Sequence, residues 1–402
     1  VITSNDLYLQ DLAHYLPVFN RLPPVITHGK GALLYDVEGH EYLDLVAGIA
    51  VNALGHAHQA LIKAQHNQLN KLTHISNAYL NLPQLNLSIK LKELSGLDRV
   101  FFSNSGTESI EGAVKIARKY ATSNGKGATV LSADGGFHGR TYVAIAMGKA
   151  AMQEGFGPMP SHFEKIPFNN IEAITQRIEQ NPLDIAAIIV EPIQGEGGIK
   201  PANKNYLTSL RQLCDKHNIV LIFDEIQTGV GRTGKWFAKD HYNVQPDIIT
   251  MAKGLGGGVP IGAILCTEKV SQTLDKGDHG TTFGGNPFAC ATALAVIDII
   301  EKDGLLQHVA TVGTWLIDQL KNLKSPYIKD VRGMGFMIGI EIDRPSRPLL
   351  FAFLDRRIMV NATAGNVIRI VPPLITTQEQ FTHFIAQFSE ILATLTNNPT
   401  NS

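Results

Sequence analysis

The sequence predicts an α/β fold: a large, mostly parallel sheet carrying helices on both faces, with a smaller α+β region beside it. Three observations predict it. Between residues 59 and 290, helical and strand-like patterns alternate, the order that winds a parallel sheet. Short apolar runs, residues 219–223 above all, end abruptly in polar or charged side chains, as strands buried on both faces do. A chain of 402 residues is too long for one ordinary core, so two domains are expected.

Composition narrows the class. Hydrophobic residues make up 44% and charged residues 18%, with a formal net charge of −1. Such a balance fits a soluble globular chain and argues against nucleic acid or an anionic membrane as the main partner. Cys214, Cys266 and Cys290 are odd in number and far apart, which fits a reducing compartment without a disulfide framework. No apolar run approaches the roughly 20 residues that span a bilayer. The opening residues, Val1 to Asp6, show no basic run leading into an apolar one, so no export leader is expected and the cytoplasm is the expected location.

Taken in order, residues 1–30 read as an arm in which Pro17, Pro23 and Pro24 break any long helix. Residues 31–44 read as a hairpin turning near Glu38 and Gly39. Residues 46–58 end in Gly55-His56-Ala57-His58; two histidines at that spacing suit a metal, but with no acid or cysteine cluster nearby a loop or helix start fits better. Helices are expected over 60–72, 84–95, 107–121, 171–180 and 205–217, and strands over 99–103, 128–132, 185–191, 219–224, 247–252 and 262–266. An apolar helix over 289–300 leads into the smaller region, with strands over 333–341 and 367–371, a last helix over 377–395 and a polar tail at 397–402. The expected division is an arm and part of the small domain in 1–55, the large domain in 56–290, and the C-terminal small domain in 291–402.

Three pieces carry chemistry. After a short strand, Ser103-Asn104-Ser105-Gly106-Thr107-Glu108 opens a helix. Ser105 and Glu108 have capping-box spacing, and free amides beside Gly106 suit a phosphate as well as they suit an ordinary N-cap. Gly135-Gly136-Phe137-His138-Gly139-Arg140 sets an aromatic among glycines, where Phe137 is either core or a lid on a flat ring. His138 is a candidate neighbour, and Arg140 alone could be a solvated charge. Asp224 ends one apolar run and Lys253 follows another. The two suit an ion pair; they equally suit pyridoxal phosphate, whose ring nitrogen needs a facing carboxylate and whose aldehyde needs a lysine that loses its proton readily. Gln227, three residues on, is within reach of a ring hydroxyl. Glu225 adjoins the same site, although strand alternation turns it to the other face and favours a structural role. Other site types fail: Val259 replaces the third glycine of a dinucleotide fingerprint, and no P-loop, Gly-x-Ser-x-Gly elbow or zinc spacing occurs.

Six motifs now stand in order. They are Ser105-Gly106-Thr107, Phe137-His138-Gly139-Arg140, Glu191-Pro192-Ile193-Gln194-Gly195-Glu196-Gly197-Gly198, Asp224-Glu225-Ile226-Gln227-Thr228-Gly229, Ala252-Lys253-Gly254 and Thr281-Thr282-Phe283-Gly284-Gly285-Asn286-Pro287. Together they resemble the class III aminotransferases of pyridoxal-phosphate fold type I over nearly the whole chain. The resemblance implies a large cofactor-binding domain, a small domain, and a homodimer with shared active sites. It implies that Lys253 holds the cofactor, Asp224 meets its ring nitrogen and Gln227 its hydroxyl. Ser105, Gly106 and Thr107 would bind the phosphate with the partner's Thr282, while Phe137 and Ile226 would cover the two ring faces. Arg140 would take a substrate carboxylate, with the partner's Thr281 near the substrate. Arg369 would bind the carboxylate of glutamate or 2-oxoglutarate and pair with Glu196 when it does not. Gly48 to His56 and Asn366 to Leu374 point within the family to N-acetylornithine as amino donor. Ornithine, succinylornithine or 4-aminobutyrate, or a silent cofactor-binding module, are the alternatives. Gln59, Ser109 and Ile110 depart from the family's usual residues without touching the catalytic set.

Overall fold

A computed structural model describes residues 4–395; the expectations for residues 1–3 and for the tail at 397–402 lie outside the described residues. The arm holds a helix, Ser4–His14, that ends before Pro17. Strands β1 (Ile26–Lys30), β2 (Leu33–Asp36) and β3 (Glu41–Asp44) follow as an antiparallel meander. Its second turn is tied by Asp36, which accepts hydrogen bonds from the Glu38 and His40 amides. The His56 ring meets the Asp44 carboxylate at 2.7 Å and so serves the chain's own structure, and His58 precedes the helix Gln59–Leu69.

The central sheet contains β4 (Arg99–Ser103), β5 (Thr129–Ala133), β6 (Phe163–Ile166) and β7 (Ile185–Val190). After a short ribbon of β8 (Ile193–Gln194) and β9 (Lys200–Pro201), it continues with β10 (Val220–Asp224), β11 (Ile248–Met251) and β12 (Gly262–Cys266). Its order is β4-β12-β11-β10-β7-β5-β6. The strands β6, β5, β7, β10 and β11 pair in parallel, and only β12 runs against its neighbours. Alternation along β10 explains the two helical layers. Leu221 and Phe223 pack with the helices Ile171–Gln180 and Lys204–His217, while Val220 and Ile222 pack with the helix Gly106–Ser123. All five β10 side chains are buried, as a strand covered on both faces requires.

The C-terminal region adds β13 (Ile328–Met334), β14 (Met337–Ile342), β15 (Ile358–Met359), β16 (Asn361–Thr363) and β17 (Val367–Ile370). The single strand expected over 333–341 is a hairpin: β13 and β14 pair Met334 with Met337 across Gly335 and Phe336. Gly335 has φ +54°, the left-handed value that a two-residue hairpin turn demands. Strand β15 pairs in parallel with β3, so the N-terminal meander and the C-terminal region share one sheet. Edge strand β6 and the helices Leu305–Asn322 and Arg347–Asp355 were not anticipated. The first of these helices buries Leu305, Val309, Val312, Leu316 and Leu320, a helical spacing visible in the sequence.

Arg232 locks these parts together. Buried among the loop after β10, it donates to the carbonyls of Phe336 and Pro372, and its own carbonyl accepts from the Phe336 amide. Burial pushes its pKa down to about 9, with Asp44 opposing the shift. Replacing it by methionine is expected to cost about 2–3 kcal/mol, the worth of charge-assisted bonds whose acceptors are left unpaired. Urea unfolding would read this as a lower midpoint at unchanged slope.

Candidate active site

Ligands of open α/β sheets bind at the carboxyl ends of the strands, and a cavity of about 350 Å³ opens there. Its lining comes from residues that follow five strands: Asn104 to Thr107 after β4, Phe137 to Gly139 after β5, Glu191 after β7, Asp224, Ile226 and Gln227 at the end of β10, and Ala252 and Lys253 after β11. Val51, Glu196 and residues 258–261 complete it.

One end is the start of the helix Gly106–Ser123. Ser105 caps it by accepting from the Glu108 amide at 3.3 Å, and Glu108 reaches back to the Asn104 amide at 2.6 Å. The first amides of a helix have no partner within it, which leaves those of Gly106 and Thr107 for an anion. A side chain at Gly106 would bring its Cβ within 2.9 Å of Ile226, and one at Gly139 within 2.2 Å of the Thr107 hydroxyl. The glycines therefore let two loops close around this helix start. The ordinary N-cap and the anion cradle are the same structure here.

Phe137 and Ile226 both line the cavity as apolar walls. The Asp224 carboxylate lines the same cavity. It accepts from His138 Nδ1 at 2.7 Å, the Ile226 amide at 3.1 Å and the Thr250 hydroxyl at 3.3 Å. Burial alone would lower the His138 pKa, but the bond and charge of Asp224, with Glu191 beyond, outweigh it and hold the pKa above the usual value. Gln227 is buried at the cavity wall with no partner for its Oε1, a polar atom that calls for a ligand.

Lys253 forms no ion pair with Asp224; among the described residues its amine has no hydrogen-bond or ion-pair partner. Burial and the nearby Arg369 lower its pKa, against Asp224, Glu196 and Glu191, which raise it. Its backbone lies at φ +45°, a strained region for a residue with a side chain, and such strain gathers at functional sites.

Arg369, on β17, does not itself line the cavity; it meets Glu196, which does, at 2.5 Å and donates to the Asn361 side-chain Oδ1 at 2.7 Å. It is 1% exposed. Burial opposes the Glu196 charge, but Arg369, Lys253 and the Thr363 hydroxyl hold its pKa below the usual value. Arg140 is exposed, its guanidinium 5.6 Å from the centre of the Phe137 ring, and among the described residues it has no ion pair.

One expectation needs correcting. Glu225 does not face the cavity: alternation turns it to the other side of β10. There it accepts from the Ala238 and Lys239 amides and the Thr228 hydroxyl, and burial pushes its pKa up to about 7. It is a structural clamp, not a cofactor contact. Thr281 and Thr282 do not line this chain's cavity; Thr281 Oγ1 accepts from the Gly284 amide and from Asn104, and Thr282 is exposed. The sequence reading gave no role to Glu191 or Asn361. Glu191 had a signal, since it ends the apolar run of β7 as Asp224 ends that of β10.

The residues fit a ligand with an anionic end, a flat ring and a group that meets a lysine. The anion finds free helix amides, the ring finds two apolar walls and a carboxylate, and Gln227 Oε1 lacks a partner. Enzymes that move amino groups with pyridoxal phosphate present such a site on such a sheet. The family model described as aminotransferase class-III matches residues 18–392, and the chain belongs to that family, which implies this cofactor. The chain is 47% identical to an acetylornithine aminotransferase of Methanocaldococcus jannaschii, over 94% of this chain and 96% of that protein. It is 44% identical to the Aquifex aeolicus protein of the same name, over 93% and 98%. Among solved structures, the ornithine aminotransferase of Toxoplasma gondii superposes with a TM-score of 0.93 at 33% identity, covering 98% of this chain and 96% of that one. The acetylornithine aminotransferase of Elizabethkingia anophelis does so with 0.88 at 31%, covering 98% and 100%. Among the described residues no helix is long and apolar enough to cross a membrane.

Proposed function

We propose that this chain transfers the terminal amine of N2-acetyl-L-ornithine to 2-oxoglutarate, giving N-acetyl-L-glutamate 5-semialdehyde and L-glutamate, a step of arginine biosynthesis in the cytoplasm. The observation that carries it is the closed Glu196–Arg369 pair beside the unpartnered Lys253. The relatives named acetylornithine aminotransferase support the choice of donor.

Pyridoxal phosphate, when bound, supplies an electron sink for negative charge at the substrate carbon. The chain's part is to bind, orient and move protons. Gly106 and Thr107 amides, with the Ser105 cap, would hold the phosphate, and Phe137 and Ile226 would cover the ring. Asp224 would keep the ring nitrogen protonated, with His138 bonded behind it, and Gln227 would bond the ring hydroxyl. Lys253, its amine proton loosened by burial, would carry a proton from the substrate carbon and return it. Arg140 would take the substrate's α-carboxylate. Thr281 and Thr282, which do not line this chain's own cavity, would complete the site of a second copy in a homodimer. Residues 56–290 would form the cofactor-binding domain, flanked by 1–55 and by the small domain of 291–402.

The Glu196–Arg369 pair answers a chemical demand. One pocket must take the donor by a terminal amine and glutamate by its α-amine. With the pair closed, Arg369 offers no free charge; with Glu196 swung away, it can bind the glutamate carboxylate. Glu196→Ala is expected to shift kcat/KM about tenfold towards glutamate, about 1.4 kcal/mol; an unchanged preference would remove the switch.

The test of the whole proposal is a donor panel on cofactor-loaded protein. Glutamate formed from 2-oxoglutarate is measured with N-acetylornithine, N-succinylornithine, ornithine and 4-aminobutyrate. A strong preference for acetylornithine supports the proposal. Preference for ornithine, the donor named for the Toxoplasma neighbour, would replace the substrate and keep the chemistry. No amine turned over would leave a binding module.

A further inference from the structure

Glu191 has a role that the catalytic scheme does not use. It follows β7, lines the cavity and is 7% exposed. Its two carboxylate oxygens are spent on two different loops. One accepts from the Phe137 amide at 2.9 Å; the other accepts from the Gly195 amide at 3.1 Å. The first loop carries the wall of the cavity, and the second carries Glu196, next in sequence to Gly195. The same loops touch again: the Gln194 side chain donates to the Asp134 carbonyl at 2.7 Å, and a Cβ on Gly197 would come within 2.9 Å of the Gly135 carbonyl. The wall and the gate are therefore both tied to one buried carboxylate.

We propose that Glu191 is a positioning residue that couples the Phe137 loop to the Glu196 loop, so that opening of the Glu196–Arg369 pair is transmitted to the Phe137 wall. This rests on the gate role given to Glu196 above. A carboxylate is needed because two amides must be accepted at once by separate oxygens, which neither a glutamine nor an aspartate reaching from the same position can do equally. Burial pushes the Glu191 carboxyl up to about 7; His138 opposes this, Asp224 adds to it, and the two amides oppose it. The fold thus keeps at this point an ionisable group whose charge burial disfavours, which a purely apolar filler would not need.

Two measurements test the coupling on the cofactor-loaded protein. The first is backbone hydrogen exchange in Glu191→Ala and in the isosteric Glu191→Gln. In Glu191→Ala the Phe137 and Gly195 amides are expected to exchange about tenfold faster, as loss of one bond to a charged acceptor implies. In Glu191→Gln only one of the two amides should do so, since the side-chain NH₂ cannot accept. Unchanged exchange at both amides in both variants overturns the proposal. The second is a double-mutant cycle of Glu191→Gln with Glu196→Ala, read as kcat/KM for glutamate against the preferred terminal-amine donor. Coupled loops give effects that fail to multiply by about fivefold or more. Strictly multiplicative effects mean that Glu191 only supports the fold, and overturn the proposal. Exchange needs no substrate, so a wrong donor assignment would surface in the donor panel and leave the exchange result standing.

Discussion

Lys253→Ala is expected to lower glutamate formation by at least about 10⁴-fold while leaving the protein folded. The two halves of that expectation have separate grounds. The loss of rate follows from position: among the described residues Lys253 is the lysine that lines the cavity, and no neighbour offers another amine there. Lys253→Arg should be as poor, because a guanidinium does not give up its proton near neutral pH. Retained stability follows from the absence of partners. The amine has no ion pair to lose, its charge is disfavoured by burial, and Arg369 repels it. The sign with pH is fixed by the lowered pKa. Folding disfavours the protonated lysine, so removing it should raise stability near neutral pH. That gain should fade as the pH climbs through the lowered folded value towards the usual lysine value of 10.5 and be gone above it, where the unfolded chain has also lost the proton. Thermal unfolding across pH and a rate assay on one preparation would check both. A variant that keeps more than about 1% of wild-type turnover would remove Lys253 from the chemistry.

Much of this site could be read in the sequence because its residues sit at punctuation marks of the fold. Asp224 and Lys253 each follow an apolar run, and those runs are strands β10 and β11 whose carboxyl ends open on the cavity. Phe137 stands among glycines, and Ser105 sits where a strand becomes a helix. Local pattern was enough there. It was insufficient where the partner is distant in the chain. The 2.5 Å pair of Arg369 and Glu196 spans 173 positions, and nothing near either residue announces the other; only the family resemblance joined them. Glu191 ends the apolar run of β7, but one of the two amides it accepts comes from a loop 54 positions away, a link that local pattern does not show. Glu225 shows the converse. It shares a motif with Asp224, but one step along a strand turns a side chain to the opposite face. The missed edge strand β6 is half-exposed, so it lacks the apolar run that marked the inner strands. The break within 333–341 depended on backbone freedom at Gly335, which periodicity alone does not register.

Asp224→Asn is expected to reduce turnover by about 10²- to 10³-fold, the usual cost of removing one preorganised electrostatic partner from a buried site. The substitution keeps the volume and one acceptor oxygen, so the Ile226 amide and Thr250 hydroxyl can still be served. What it removes is the negative charge that faces the proposed ring nitrogen and that His138 leans on at 2.7 Å. His138 therefore supplies a readout independent of rate. In the parent its pKa is raised because Asp224 outweighs burial. In the variant burial should win, and NMR titration should find the imidazole below its usual value of about 6.5. Stability follows with a definite sign. A raised histidine pKa contributes stability that is fully present below the unfolded value and lost as pH rises through the folded one. The parent should thus gain stability as the pH falls through the raised folded value to about 6.5, and the variant should lose that gain. If turnover falls less than about threefold while His138 titrates low, the charge matters to the histidine and not to the reaction. The carboxylate would then be a prop for His138, and the ring nitrogen would need another partner.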